Sequence, residues 1–177
     1  AMAIAGGLFI IGFGFFFEPI RLHFGWSRTM LSGAYAVSRL GKSTLGPLEG
    51  YLIQRFGSRT VMTAAFVVFG LGFVLLSHTN SILSFYVAFV LLTIAAEACG
   101  YSSVMASINN WFRVKRARAV SFAMLGMGLG GVIFPPILAF AFDNFSWRTV
   151  SLAAGAFVLV TGSIIARFVR YNPEPYG

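Results

Sequence analysis

The 177 residues predict an all-α membrane protein, a six-transmembrane-helix bundle built of two inverted three-helix repeats. Three observations point there: a charge-poor apolar composition, six hydrophobic runs, and an internal echo between the entries to the third and sixth runs. The chain is 58% apolar and 10% charged, whereas soluble domains carry about 25% charged residues. Lipid must be the solvent for most of it.

The runs lie near 2–20, 29–53, 60–77, 82–109, 119–141 and 149–167, each close to the roughly 17–25 residues that cross a hydrocarbon core of about 30 Å. Unpaired backbone groups cannot face lipid, so these spans are helices. The connections are short, and residues 1–177 form a single transmembrane domain.

The first span starts without the basic region and cleavage site of a secretory signal, carries Phe15-Phe-Phe17, and ends at Glu18, Arg21 and Trp26. The second places Tyr35, Ser38, Arg39, Lys42, Gly46 and Glu49 within an arc of about 100° at helical spacing, and Gly46, Pro47 and Gly50 are expected to end it. The third follows a turn containing Arg55 and Arg59. The fourth holds Glu97 and Cys99, a lone thiol with no partner for a disulfide. The fifth carries Gly126, Gly128, Gly130 and Gly131, small residues that let helix backbones approach, then Pro135 and Pro136, which should kink it. The sixth opens at Trp147 and runs toward Arg167.

Cations set the orientation. Arg55, Arg59, Arg113, Lys115, Arg116, Arg118, Arg167 and Arg170 share one side, while Arg21, Arg28 and Arg148 occupy the other. The positive-inside rule then puts both termini in the cytoplasm of a multi-pass plasma-membrane protein. The net charge of +8 is a topological signal, and nucleic acid is not an expected partner. Trp26, Trp111 and Trp147 fall at span ends, where indoles favour the headgroup layer.

Two phosphate-loop spellings fail. Gly41-Lys-Ser-Thr44 lacks the earlier glycine, since position 36 is alanine, and Gly126-Met-Gly-Leu-Gly-Gly131 follows no strand. His23 and His78 are far apart, and no intramembrane cluster of Ser, His or paired acids supports an enzyme. No metal or cofactor is expected.

The echo aligns Gln54-Arg-Phe-Gly-Ser-Arg-Thr-Val-Met-Thr-Ala-Ala65 with Asp143-Asn-Phe-Ser-Trp-Arg-Thr-Val-Ser-Leu-Ala-Ala154, 89 positions apart, with Phe, Arg, Thr, Val, Ala and Ala coinciding. Three spans separate the copies, so they have opposite topology, as in the inverted repeats of many secondary transporters.

Gly50-Tyr-Leu-Ile-Gln-Arg-Phe-Gly-Ser-Arg59, between spans two and three, resembles the signature loop of the major facilitator superfamily. Gly50, Arg55, Gly57 and Arg59 fit that pattern, and Gln54 replaces its aspartate. Gly25-Trp-Ser-Arg28, Asn110-Trp-Phe-Arg113, the glycine-rich fifth span ending in Pro135-Pro136, and the tail Asn172-Pro-Glu-Pro-Tyr-Gly177 resemble the oxalate/formate antiporter and monocarboxylate transporter branch. The resemblance covers nearly the whole chain. It implies the amino-terminal half of a twelve-helix transporter, a fragment whose partner is a missing carboxy-terminal half, with a second copy of a half-size protein as the alternative. The implied activity is alternating-access transport of a small organic anion, a monocarboxylate or dicarboxylate, with a coupling proton or counter-anion. A six-span scaffold or sensor that moves no solute is the competing reading. In the family the loop's aspartate helps latch the cytoplasmic side, and Gln54 implies a weaker latch.

Ionisable groups in mid-span cost about 2.5–3.5 kcal/mol each on insertion scales and tend to face cavities. Arg39 and Lys42 are candidates to bind or gate a carboxylate, with Tyr35 and Ser38 beside them. A structural pair of either cation with Glu97 is the other possibility, and Glu97 is also the better candidate for a coupling proton.

Overall fold

The structure, a computed structural model, describes residues 1–111 and 115–168, leaving aside the side chains of residues 42–45, 166 and 168. The Lys42 side chain, Arg113, Arg170 and the tail from Asn172 therefore lie outside the described residues. Among those described there are six helical runs and no strand: α1 (Met2–Phe24), α2 (28–56), α3 (58–77), α4 (Ile82–Trp111), α5 (Arg116–Asn144) and α6 (Trp147–Phe168). Five segments are long and apolar enough to cross a membrane: Met2–Phe24, Gly46–Ser77, Ile82–Trp111, Arg116–Asn144 and Trp147–Ile165. Six were expected, and the six runs α1–α6 match them in number; Gly46–Ser77 straddles the break between α2 and α3, and α2 counts toward it only from Gly46 because the side chains of residues 42–45 lie outside those described.

Local chemistry sets the helix ends. Gly25 closes α1 in the left-handed conformation (φ 67°), with its N–H on the Arg21 carbonyl at 2.8 Å, the usual glycine stop. Ser27 caps α2 by accepting the Met30 N–H at 3.2 Å. Between them Trp26 stacks on Phe24, ring centroids 4.4 Å apart. Gly25-Trp-Ser-Arg28 is thus a helix stop, an aromatic clamp and a helix start in one tetrapeptide.

One expected end is corrected. The helix continues through Gly46, Pro47 and Gly50 and breaks at Gly57 (φ 81°, ψ 151°). In a membrane helix the carbonyl freed by proline can be re-satisfied locally, whereas that φ needs a residue without a Cβ. In the same way α5 is one helix through Pro135 and Pro136.

Helix α1 packs on α5, α2 on α4, and α3 on α6. The repeat is visible in these contacts. A Cβ on Gly162 would collide with the Phe66 ring, and one on Gly155 would lie 3.2 Å from Phe73 Cβ. Advancing by 89 positions carries Phe66 to Gly155 and Phe73 to Gly162, so exchanging the repeats turns the first contact into the second. Gly70 meets Leu159, its own counterpart at that offset, which marks the pseudo-two-fold axis. The same exchange equates α1 with α4, and each contains a π turn, Ala5–Ile11 and Ala98–Ser102. Pro47 of α2 likewise falls on Pro136 of α5.

The core sits where α1, α3 and α4 meet. Phe13, Phe16, Phe66, Phe69, Phe73, Phe85 and Phe89 are fully buried, with Phe13 edge-on to Phe89 at 4.8 Å and Phe9 at 5.6 Å from it. In lipid, where apolar burial gives no driving force between helices, such close packing is what holds them together.

Enlarging Gly162 or Gly155 should therefore overpack the α3–α6 contact. Gly162→Val is expected to destabilise the folded chain by about 1–3 kcal/mol, while Gly128→Ala, where a Cβ meets nothing within 4 Å, is neutral or slightly stabilising. Thermal unfolding in detergent distinguishes the two, and equal melting shifts would contradict the assigned contact.

Candidate functional site

The exposed face of α2 carries Tyr35 and Arg39. Tyr35 is 40% exposed; its ring stacks on Phe17, with centroids at 5.4 Å and planes 6° apart, and meets Phe89 edge-on at 4.8 Å. Aromatic packing thus ties the tyrosine to the core. Ser38 turns inward, 2% exposed, and its hydroxyl donates to the Tyr35 carbonyl at 2.9 Å. Arg39 is exposed, and among the described residues it makes no ion pair or hydrogen bond. Arg21 forms an ion pair with Glu18, three residues before it on α1.

Glu97 stands elsewhere, on the wall of a cavity of about 550 Å³ between α2 and α4. Glu49, Gln54, Tyr101, Asn109 and Asn110 share that wall. Among the described residues the polar chemistry is therefore divided: a cation-bearing exposed face at Tyr35 and Arg39, and a carboxylate- and amide-lined cavity about two to four turns further along α2 toward the signature loop.

This cavity has a filled counterpart. Under the 89-residue exchange Glu49 and Tyr101 become Leu138 and Gly12, and Ile53 and Met105, also on the cavity wall, become Phe142 and Phe16. A Cβ on Gly12 would collide with Leu138, and the Phe16 and Phe142 rings meet at 4.8 Å. The contact between α1 and α5 is closed where its repeat partner, between α2 and α4, is parted. The glycines report the same difference: Gly130 packs against the Ala3 backbone, while Gly41, its equivalent, has Val90 at 3.8 Å as the nearest neighbour of an added Cβ.

The signature turn is built without acids. Gly50 has open space beside it. Gln54 lines the cavity. Arg55 donates to the Tyr51 hydroxyl at 2.7 Å and lies over the Tyr51 and Phe56 rings at 5.9 and 5.7 Å. Gly57 makes the break, and Arg59 is exposed while its carbonyl accepts from Thr63 at 2.8 Å. The sequence reading missed Ser58, which is fully buried and pairs with Ser107 of α4 at 2.7 Å between hydroxyl oxygens. A neutral hydroxyl pair thus joins α3 to α4 next to the turn. Its only sequence signal was a serine standing among residues where the resemblance calls for cations.

The family model of the Major Facilitator Superfamily matches residues 1–177. Among known proteins the chain is 27% identical over 146 residues to "Monocarboxylate transporter 11" of Homo sapiens, a match covering 82% of this chain and 31% of that protein. It is 26% identical over 153 residues to "Monocarboxylate transporter 13" of Rattus norvegicus, covering 86% and 34%, and 26% identical over 143 residues to "Monocarboxylate transporter 12" of Xenopus laevis, covering 81% and 31%. The matched stretch spans about a third of the length of each relative.

A double-mutant cycle on Ser58→Ala and Ser107→Ala should give a coupling of about 1 kcal/mol for the buried hydroxyl pair. Additive losses in unfolding free energy would contradict a direct bond.

Proposed function

Because the chain belongs to the Major Facilitator Superfamily, we propose that it is one six-helix half of a secondary transporter for a small organic anion. Transport runs by alternating access, with the second half supplied by a carboxy-terminal six-helix unit or a second copy. Both termini face the cytoplasm of the plasma membrane.

The observation that carries this reading is the parted α2–α4 contact opposite a closed α1–α5 contact. Two equivalent interfaces in unequal states are what a device that exchanges which end is open requires. Helix α5 supports the need for a second body: only 11% of its most apolar window is buried in the chain, and Gly126 and Gly128 face open space.

The substrate class rests on Arg39. A mid-span guanidinium facing lipid costs about 2.5–3.5 kcal/mol, and the described residues give it no carboxylate. A water-filled path and an anion passing through it offset that cost. Lys42, one turn further along α2, is the second cation for the site, with Tyr35 as a hydrogen-bond donor. The relatives' printed names agree with a monocarboxylate, and a dicarboxylate would use both cations. Glu97, which shares the cavity wall with Glu49, is the candidate to carry a coupling proton. The Ser58–Ser107 pair and the uncharged Gln54 make the cytoplasmic latch weaker than one built on an aspartate.

Uptake of a panel of labelled carboxylates into proteoliposomes holding the whole transporter tests the reading. Arg39→Gln and Lys42→Gln should each lower uptake at least tenfold, about 1.4 kcal/mol or more, with the protein still folded; no uptake of any carboxylate by the unaltered protein would favour a scaffold or sensor. In a second test, cysteines at Ile53 and Met105 should cross-link and arrest transport, because the other state brings that pair as close as Phe142 and Phe16. Failure to cross-link during turnover would contradict the exchange.

A further inference from the structure

Next to the acidic cavity, and sharing Glu49 with it, a second groove of about 320 Å³ runs between α2, α3 and α4. Its walls are Leu52, Phe56, Ala64, Val68, Leu91 and Ile94, with further apolar residues between them. Along α3 it extends from Thr60 to Val68, about 12 Å at 1.5 Å per residue, which is most of one leaflet of a hydrocarbon core about 30 Å thick. Its one acid, Glu49, lies seven residues from Phe56, hence about 10 Å from the mouth.

The mouth is cationic. Phe56, whose ring lines the groove, carries the Arg55 guanidinium at 5.7 Å, and Arg55 is tied to Tyr51 rather than to a carboxylate. Arg59 precedes Thr60 on the groove wall, is exposed, and forms no ion pair among the described residues. The amino end of α3, beginning after the break at Gly57, adds the positive pole of a helix at the same level. An apolar channel one leaflet deep, with two unneutralised arginines at its headgroup end, has the charge and shape of a site for one lipid of opposite sign.

We infer that this groove binds an anionic glycerophospholipid, one acyl chain between α2, α3 and α4 and its phosphate at Arg55 and Arg59. The site stands on the fold alone and does not depend on what is transported.

Native mass spectrometry of the full chain released from nanodiscs of phosphatidylcholine with a minority of phosphatidylglycerol tests the site. The unaltered chain should retain one phosphatidylglycerol in preference to phosphatidylcholine. Arg55→Gln and Arg59→Gln should each cut that preference roughly fivefold, while Arg116→Gln leaves it unchanged. Ala64→Trp, which fills the groove from an exposed wall position, should abolish retention of either lipid, and Val68→Phe serves if the tryptophan prevents folding. Equal retention of the two lipids by the unaltered chain would overturn the inference. So would wild-type phosphatidylglycerol retention in both groove-filling variants, above all if they fail instead to associate with a second six-helix unit, which would make the groove a helix-docking surface.

Discussion

Every polar group carried into a bilayer has to be satisfied by the protein itself, and the rest of this structure follows from that constraint. It makes the chain helical, and it explains what the hydroxyl residues do. Thr63, Thr93, Ser107, Thr161 and Ser163 each donate to the carbonyl four residues back, at 2.6–2.9 Å, so they enter lipid already bonded. It leaves association between helices to packing, which is why glycines at α1–α5 and α3–α6 are filled by a neighbour's side chain or backbone. Against that background two features stand out: the cavity walled by Glu49 and Glu97, and Arg39 on an exposed face.

The same constraint gives the repeat its meaning. Six identities in twelve residues could reflect shared helix-entry chemistry, but the contacts Phe66–Gly162 and Phe73–Gly155 exchange with one another at the same offset of 89, and Gly70–Leu159 maps onto itself. A pseudo-two-fold axis through α3 and α6 leaves that pair symmetric and permits the other two, α1–α5 and α2–α4, to differ. They do differ, and the difference is a cavity large enough for a small solute on one side and two rings packed edge to face on the other.

Hydropathy and cation placement made the helices legible, because lipid imposes length and composition directly. The α2 terminus was misread at Gly46-Pro47-Gly50, since in soluble chains those residues stop helices and in membranes they need not; the break at Gly57 falls within the 54–59 turn that the hydrophobic runs leave between them. The polar arc on α2 was legible as periodicity, yet Ser38 turned inward because its hydroxyl could bond its own backbone. The Ser58–Ser107 pair was invisible because it joins positions 49 apart through packing. Whether a cation of α2 meets Glu97 was likewise a question of packing: Arg39 forms no ion pair among the described residues, and the Lys42 side chain lies outside them.

The central claim is that residue 39 faces a water-filled, substrate-accessible path rather than lipid. The single thiol of residues 1–177, Cys99, is fully buried, so with any cysteines of the second six-helix unit replaced, Arg39→Cys can be probed with a charged, membrane-impermeant thiol reagent against little background. The account predicts rapid modification at position 39, slowed by a transported carboxylate. Inertness to the charged reagent together with quenching by a lipid-borne quencher would place residue 39 in the bilayer and contradict it.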